Sequence, residues 1–513
     1  VFRTHRMLLD DPLLISETEK SILEKGCSAE NAVHLTVYNV KTKLDMMSDS
    51  YLRERISDLM DIEQRIIRCL AGEDVSGAID IPEPSIIIAD DLTPSETIRL
   101  PRDKVLGFAT DYGSKTSHVA LISRAMGVPF VAGLGDISKT VSAGDDILLD
   151  GNLGTVTVNP SRRETEDFSR KMNEESVKTS QMDKGKIGEL KCGGKVALYA
   201  NIHPGVDADA LVSSGAQGIG LYRSEYLWLN GRSEPSEEEQ FKAYGEVADA
   251  VRSLGADAPV VIRALDIGGD KSVLGITHAE DNPFLGNRSI RYLLANEPVF
   301  RSQIRAILRA SEGVNMSIMY PMISCLDEVV KANAIVSEEK QILEKKGLGF
   351  ARNVKIGAMI EVPSAALISD AIAKHVDFLS IGTNDLVQYT LAADRSNKMV
   401  SHLYQPANPA VIALIRLVIA AAKKAGIPVC ICGESASDPV LGVLWLALGV
   451  DSLSMSALYI KPISKLLNGL SRRDLDEYAS CLGSGINDED ASRIYARCKD
   501  FLLAKVPEMK GQI

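Results

Sequence analysis

The chain has 513 residues with 57 lysines and arginines against 69 aspartates and glutamates, a net charge of -12. That balance counts against nucleic acid as an obligate partner and against an anionic membrane surface. No apolar run reaches membrane-spanning length, VLGVLWLALGV at 440–450 included, and the length leaves room for about three domains.

Residues 1–72 read as helical throughout. The clearest piece is DSYLRERISDLMDIEQRIIRCLAG, where Leu52, Ile56, Leu59, Ile66 and Leu70 form an apolar stripe and Gly72 follows the end. The break IDIPEPS then marks a domain boundary. Short apolar runs follow in SIIIADDL, KVLGFATDYG, PFVAGLG, DDILLD and GTVTVNP, which predict a compact α/β module over 73–160.

Within that module lies GSKTSHVALISRAMGVPF, 113–130. Val119, Ile122 and Met126 recur at helical spacing, Thr116 and Ser117 can cap the first turn, and Gly127 with Pro129 ends it. His118 therefore belongs at a helix N-terminus, where exposed amides favour an anion such as phosphate. A histidine that merely caps a turn is the plainer alternative.

Residues 161–193 are strongly charged and helix-compatible, either a solvated helix or a mobile joint. From 194 to 513 the pattern turns regular. KVALYANI, GIGLYRSE, PVVIRALDIGGD, MSIMYPMIS, VKIGAMIEVPSA, VDFLSIGTND, IPVCICGESA and VDSLSMS each end in polar residues and precede a helical segment. Eight strand-then-helix units in succession predict a C-terminal (β/α)8 TIM barrel.

Barrel enzymes place their chemistry where strands end. Those ends carry Asn201, Arg223 and Glu225, Arg263 and Asp266, Glu361, Asn384 and Asp385, then Cys432 and Glu434. Arg223, Arg263 and Arg395 can clamp a small polyanion through forked hydrogen bonds. Glu361 and Asp385 offer hard oxygens suited to Mg2+ and a phosphorylated substrate. The alternative is a set of rim ion pairs that brace the barrel. Cys432 is open to three roles: packing, nucleophile or proton donor. Cys430 is expected to point the other way, into packing.

Eight scattered cysteines, with no doubled Cys-x-x-Cys pattern and no secretory leader before them, read as a reduced, cytoplasmic protein.

TSHVALISRAMGVPFVAG resembles the phosphohistidine segment of the phosphoenolpyruvate-utilising enzymes. GLYRSEYLW, IRALDIGGDK, NPFLGNRSIR, IGTNDLVQYTLAADR, SHLYQP and CICGES resemble the enzyme I family of the bacterial phosphotransferase system, as do HRMLLDDPLL and ADDLTPSET. The resemblance implies an α/β protein in which a partial helical subdomain for binding the phosphocarrier HPr (1–72) precedes a swivelling phosphohistidine domain (73–160), with a linker at 161–193 and the phosphoenolpyruvate-binding barrel at 194–513. It also implies transfer of phosphate from phosphoenolpyruvate to His118 and on to HPr. Arg223, Arg263, Asn384, Asp385 and Arg395 would bind substrate, Glu361 and Asp385 would hold Mg2+, Cys432 would protonate the enolpyruvate, and the barrel would form a homodimer.

Three departures from the family pattern stand out: Ser114 replaces a usual glycine, Asn287 a familiar tryptophan, and the family's opening elements are missing before Val1. Alternatives are a nitrogen-branch paralogue, an impaired regulatory or scaffold homologue, or a dikinase-type enzyme. The last would need an ATP domain and a Gly-rich nucleotide loop, neither of which the sequence shows.

Overall fold

A computed structural model describes residues 12–45, 128–170 and 187–509. It adds short pieces between 62 and 123 and leaves out brief stretches, chiefly 152–153, 206–207, 230–233, 269–279 and 481–487. The chain divides into a unit over Val1–Ser176 and a unit over Val177–Ile513.

In the first unit, helices Pro12–Lys25 and Ala29–Asp45 run through the segment expected to be helical. Val33 and Val37 form a small buried cluster, and Ile66 packs on it. Leu70 is exposed, so the expected apolar stripe does not extend to it. Leu52, Ile56 and Leu59 lie outside the described residues.

The α/β module follows. Strands β1 (Ser85–Ala89), β2 (Val105–Thr110) and β3 (Phe130–Ala132) pair in parallel in that order. Strands β4 (Ile147–Asp150) and β5 (Thr155–Val158) form an antiparallel pair from the predicted runs. Phe108, Ala109 and Val131 are buried in the sheet. His118, Ser114 and most of the segment expected to form a helix around them fall outside the described residues.

Residues 162–170 are helical. Residues 187–193, assigned to the linker from sequence, instead pack on the barrel. Ile187 and Leu190 join its core, Gln217 Nε2 donates to Ile187 O at 3.0 Å, and Gly188 N donates to Ser464 Oγ at 3.0 Å. A segment rich in charge can still anchor through two apolar side chains when their burial outweighs the cost of ordering them.

The second unit is the predicted barrel. Strands β6 (Ala197–Ile202), β7 (Ile219–Arg223), β8 (Val260–Arg263), β9 (Met316–Tyr320), β10 (Lys355–Ile360), β11 (Phe378–Ile381), β12 (Val429–Ile431) and β13 (Ser452–Ser456) close into a parallel ring, β13 pairing back onto β6. Every residue of β9 is buried, as a strand covered on both faces requires. Outward side chains such as Ile318, Leu379 and Leu453 pack under the helices. Leu221, Met319, Met359 and Cys432 form a separate cluster within the ring. Among the described residues, no helix is long and apolar enough to cross a membrane.

Candidate active site at the barrel mouth

Because all eight strands run the same way, their last residues converge on one end of the ring. The structure gathers most of the expected charges there and adds one arginine.

Arg263, the last residue of β8, is 6% exposed. Its Nη2 lies 2.6 Å from Glu225 Oε1 and 3.0 Å from Asp266 Oδ2. Asp266 turns its other oxygen to Arg288 Nη2 at 3.2 Å. Arg288 Nη1 donates to the Tyr389 hydroxyl at 2.9 Å and lies 3.7 Å from Asp385 Oδ1. Burial opposes the charge on both guanidiniums, but Asp266 with Glu225 and Glu361 around Arg263, and Asp266 with Asp385 around Arg288, overcome it and keep both cations well above their usual range. Among the described residues, Arg263 Nε and Arg288 Nε are buried without a hydrogen-bond partner.

Glu361 follows β10 and is 2% exposed. Its Oε1 accepts from Met322 N at 2.6 Å. Burial pushes this carboxyl well above the usual carboxylate range, and the charges of Asp385 and Asp266 push it further while Arg263 and Arg288 pull back. Met322 adopts a positive φ of 55° to aim that amide, and Ser289, at φ 54°, gives its hydroxyl to Asp266. Both are non-glycine residues in a sparsely populated region, and such strain concentrates at functional sites.

The loops after β11 and β12 are sewn together. Asn384 Oδ1 accepts from Glu434 N at 2.8 Å, Ser435 Oγ donates to Thr383 Oγ1 at 2.9 Å, and Trp445 Nε1 donates to Ser435 Oγ at 3.0 Å. A Cβ on Gly433 would stand 1.9 Å from Thr383 Oγ1, and one on Gly382 would stand 2.7 Å from Glu361 Oε2. The close approach of strand ends therefore excludes a side chain at both positions. Tyr404 joins this group, donating to Asn384 O at 3.2 Å and hydrogen-bonding the Arg395 side chain.

Arg223 ends β7 beside Arg263, half-buried, and its charge reaches Cys432. Among the described residues, nothing accepts a hydrogen bond from the Arg223 guanidinium or from Asn384 Nδ2. The site thus holds some donors by carboxylates and leaves others for a ligand. Asn201 has a structural task, donating to Cys432 O at 3.0 Å and accepting from Ser454 Oγ at 2.5 Å.

Cys432 Sγ donates to Ile381 O at 3.6 Å. Burial pushes its thiol up to about 11, with the Ser380 hydroxyl and both arginines pulling back and Glu361 adding to the rise. It is a neutral S–H at physiological pH. That favours a proton donor over a thiolate nucleophile. Cys430 does not point the opposite way as expected: residues two apart in a strand share a face, and Cys430 faces Cys432, Tyr199 and Ser452.

The paired guanidiniums Arg263 and Arg288 are already matched by Glu225, Asp266 and Asp385. An incoming phosphorylated acid needs further positive charge. No group of three or more His, Cys, Asp or Glu side chains placed for a metal occurs among the described residues. Glu361 and Asp385 are a two-carboxylate set under mutual repulsion. That donor set fits Mg2+, which takes one or two carboxylates and completes its shell with substrate phosphate and water.

Arg288, in the segment NPFLGNRSIR, is a site residue that strand-end reasoning misses. It lies in a loop, away from any strand end, so the strand-end rule passes over it. Its signal is an arginine inside a Gly/Asn/Pro-rich turn between β8 and β9. Asn287 beside it is exposed, its N donating to Glu280 Oε1 at 3.0 Å.

Comparison with known proteins identifies the family. Residues 178–472 match the family described as PEP-utilising enzyme, PEP-binding domain; residues 81–154 match its mobile domain and residues 1–55 its N-terminal domain. The chain is 42% identical over 478 residues to the phosphoenolpyruvate-protein phosphotransferase of Geobacillus stearothermophilus, covering 92% of this chain and 82% of that protein. It is 40% identical over 483 residues to the enzyme of that name from Staphylococcus aureus, covering 94% and 84%. A solution structure titled Enzyme I is 39% identical over 34% of this chain and 71% of its own, with a TM-score of 0.30.

Proposed function

The chain belongs to the phosphoenolpyruvate-utilising enzymes and carries out phosphoenolpyruvate-dependent phosphoryl transfer as a transferase of the phosphotransferase system, and we propose the residues that perform it. His118 is the first acceptor. Phosphoenolpyruvate sits in the barrel mouth on Arg223, Arg263, Arg288, Arg395 and the Asn384 amide. Glu361 and Asp385 hold Mg2+, which when bound neutralises charge on the phosphate oxygens.

The neutral imidazole of His118 attacks phosphorus in line, the N–P bond forming as the bond to the enol oxygen breaks. The arginines hold the equatorial oxygens, so their contribution is positioning and electrostatics rather than covalent chemistry. The enolate carbon takes a proton from Cys432 Sγ, giving pyruvate, and the thiolate is reprotonated by water. Phosphohistidine then passes its phosphoryl group to a histidine of an HPr-type carrier. A homodimer of the barrel and a cytoplasmic location belong to the same reading, and so does the domain plan of 1–72, 73–160, the linker and the barrel.

One observation carries the proposal: the open donors of Arg223 and Asn384 share the barrel mouth with Cys432 and the carboxylate pair. The test is incubation with phosphoenolpyruvate labelled in the phosphate plus Mg2+, with and without an HPr-type protein, followed by mapping of the label. Label on His118 with stoichiometric pyruvate supports it. Label retained by the His118→Ala variant overturns the assignment.

A further inference from the structure

We propose that Tyr389 is a positioning residue for phosphoenolpyruvate binding: its hydroxyl fixes the Arg288 guanidinium in the orientation that receives substrate. The inference rests on the reading of the barrel mouth as the substrate site.

Tyr389 lies on the helix Thr383–Leu391, four residues after Asp385 and on the same face. Both side chains reach Arg288, the phenol oxygen at 2.9 Å from Nη1 and Asp385 Oδ1 at 3.7 Å from it. The phenol in turn donates to Phe284 O at 2.5 Å. Phe284 belongs to the turn Pro283–Leu285, and the Arg288 guanidinium carbon lies 6.0 Å from its ring centroid. Arg291 Nη1 braces the same turn from the carbonyls of Leu285 and Gly286, at 3.1 Å each.

A guanidinium is a rigid planar fork, so fixing two corners fixes the third. Asp266 takes Nη2 at 3.2 Å and Tyr389 takes Nη1, which leaves the plane no freedom to turn. A carboxylate alone would not do this, because it accepts from a broad range of directions. The phenol accepts from the arginine and donates to a backbone carbonyl at once, which sets its own rotor and with it the direction of its lone pairs. One helix therefore presents a metal-binding carboxylate and, a turn later, the hydroxyl that orients the neighbouring arginine.

Tyr389→Phe keeps the ring and deletes both hydrogen bonds. Binding of phosphoenolpyruvate with Mg2+ is measured by calorimetry on the full chain carrying His118→Ala, so that nothing turns over. Tyr389→Phe is expected to weaken binding about ten-fold, the scale of one hydrogen bond to a charged group, with the melting temperature little changed. In an Arg288→Lys background the same change should cost less than about two-fold, because the fork it orients is gone.

Binding within two-fold of the parent overturns the inference. So does a loss that persists undiminished beside Arg288→Lys, since the hydroxyl would then only tie down the turn. A chain with His118 intact that binds phosphoenolpyruvate but forms no phosphohistidine sinks the transfer reading and leaves this inference to the titrations. A parent that binds none overturns both.

Discussion

Asp266 and Arg288 form an ion pair at 3.2 Å with both side chains 2% exposed. The second oxygen of the same carboxylate serves Arg263 at 3.0 Å. One acid thus holds two cations, one from the end of β8 and one from the turn between β8 and β9. Removing a partner from a buried pair costs more than the pair itself is worth, because the other charge stays desolvated.

Asp266→Asn is accordingly expected to lower stability by about 3–5 kcal/mol and to abolish phosphoenolpyruvate turnover. Denaturant unfolding monitored by circular dichroism checks the first effect. An unchanged midpoint would show that Glu225 and Asp385 suffice as counter-charges.

Glu361→Gln and Asp385→Asn are expected to reduce pyruvate formation by about 10²–10³, the scale of losing one preorganised electrostatic contact at the reacting group. The two changes made together should cost little more than either alone, since both act through one cation. Rates measured across a Mg2+ titration decide it. Full additivity would argue against a shared site.

Cys432→Ala should slow pyruvate release while phosphoenolpyruvate still binds, which stopped-flow and calorimetry separate. The raised thiol also sets a pH window. Its value of about 11 lies above the ordinary 9.0, so between these limits an unfolded chain loses the proton that the folded one keeps, and stability falls as pH rises through that range. Below pH 9 both states are protonated and no effect is expected. Alkylation at pH 8 should accordingly label exposed Cys192 and Cys325 well before Cys432, as mass spectrometry of timed samples would reveal.

Gly433→Ala places a methyl group against Thr383, where the nearest atoms would stand at 1.9 and 2.7 Å. The loops after β11 and β12 must separate to admit it. Overpacking of this kind costs about 1–3 kcal/mol. Because Asn384 is held by Glu434 N from the displaced loop, substrate affinity should fall further than stability does. Equal, small effects on both would indicate that the loops adjust independently.

Much of this arrangement could be read from the chain alone. A buried parallel strand is a short apolar run, and eight of them with helices between leave few architectures open. Side chains at strand ends follow from counting, which places Arg223, Arg263, Glu361, Asp385 and Cys432 at the mouth. Counting failed at Cys430, where a step of two residues returns to the same face.

The sequence by itself determined the barrel and the kinds of charge at its mouth, because strand periodicity and helix spacing are local properties of the chain. Tertiary structure alone decided which charges bind one another. Arg288 is 22 residues from Asp266 and 101 from Tyr389, yet it touches both. Such contacts depend on how a turn folds back over the strand ends and on the desolvation that drives opposite charges together there, and neither is encoded in any short stretch of residues.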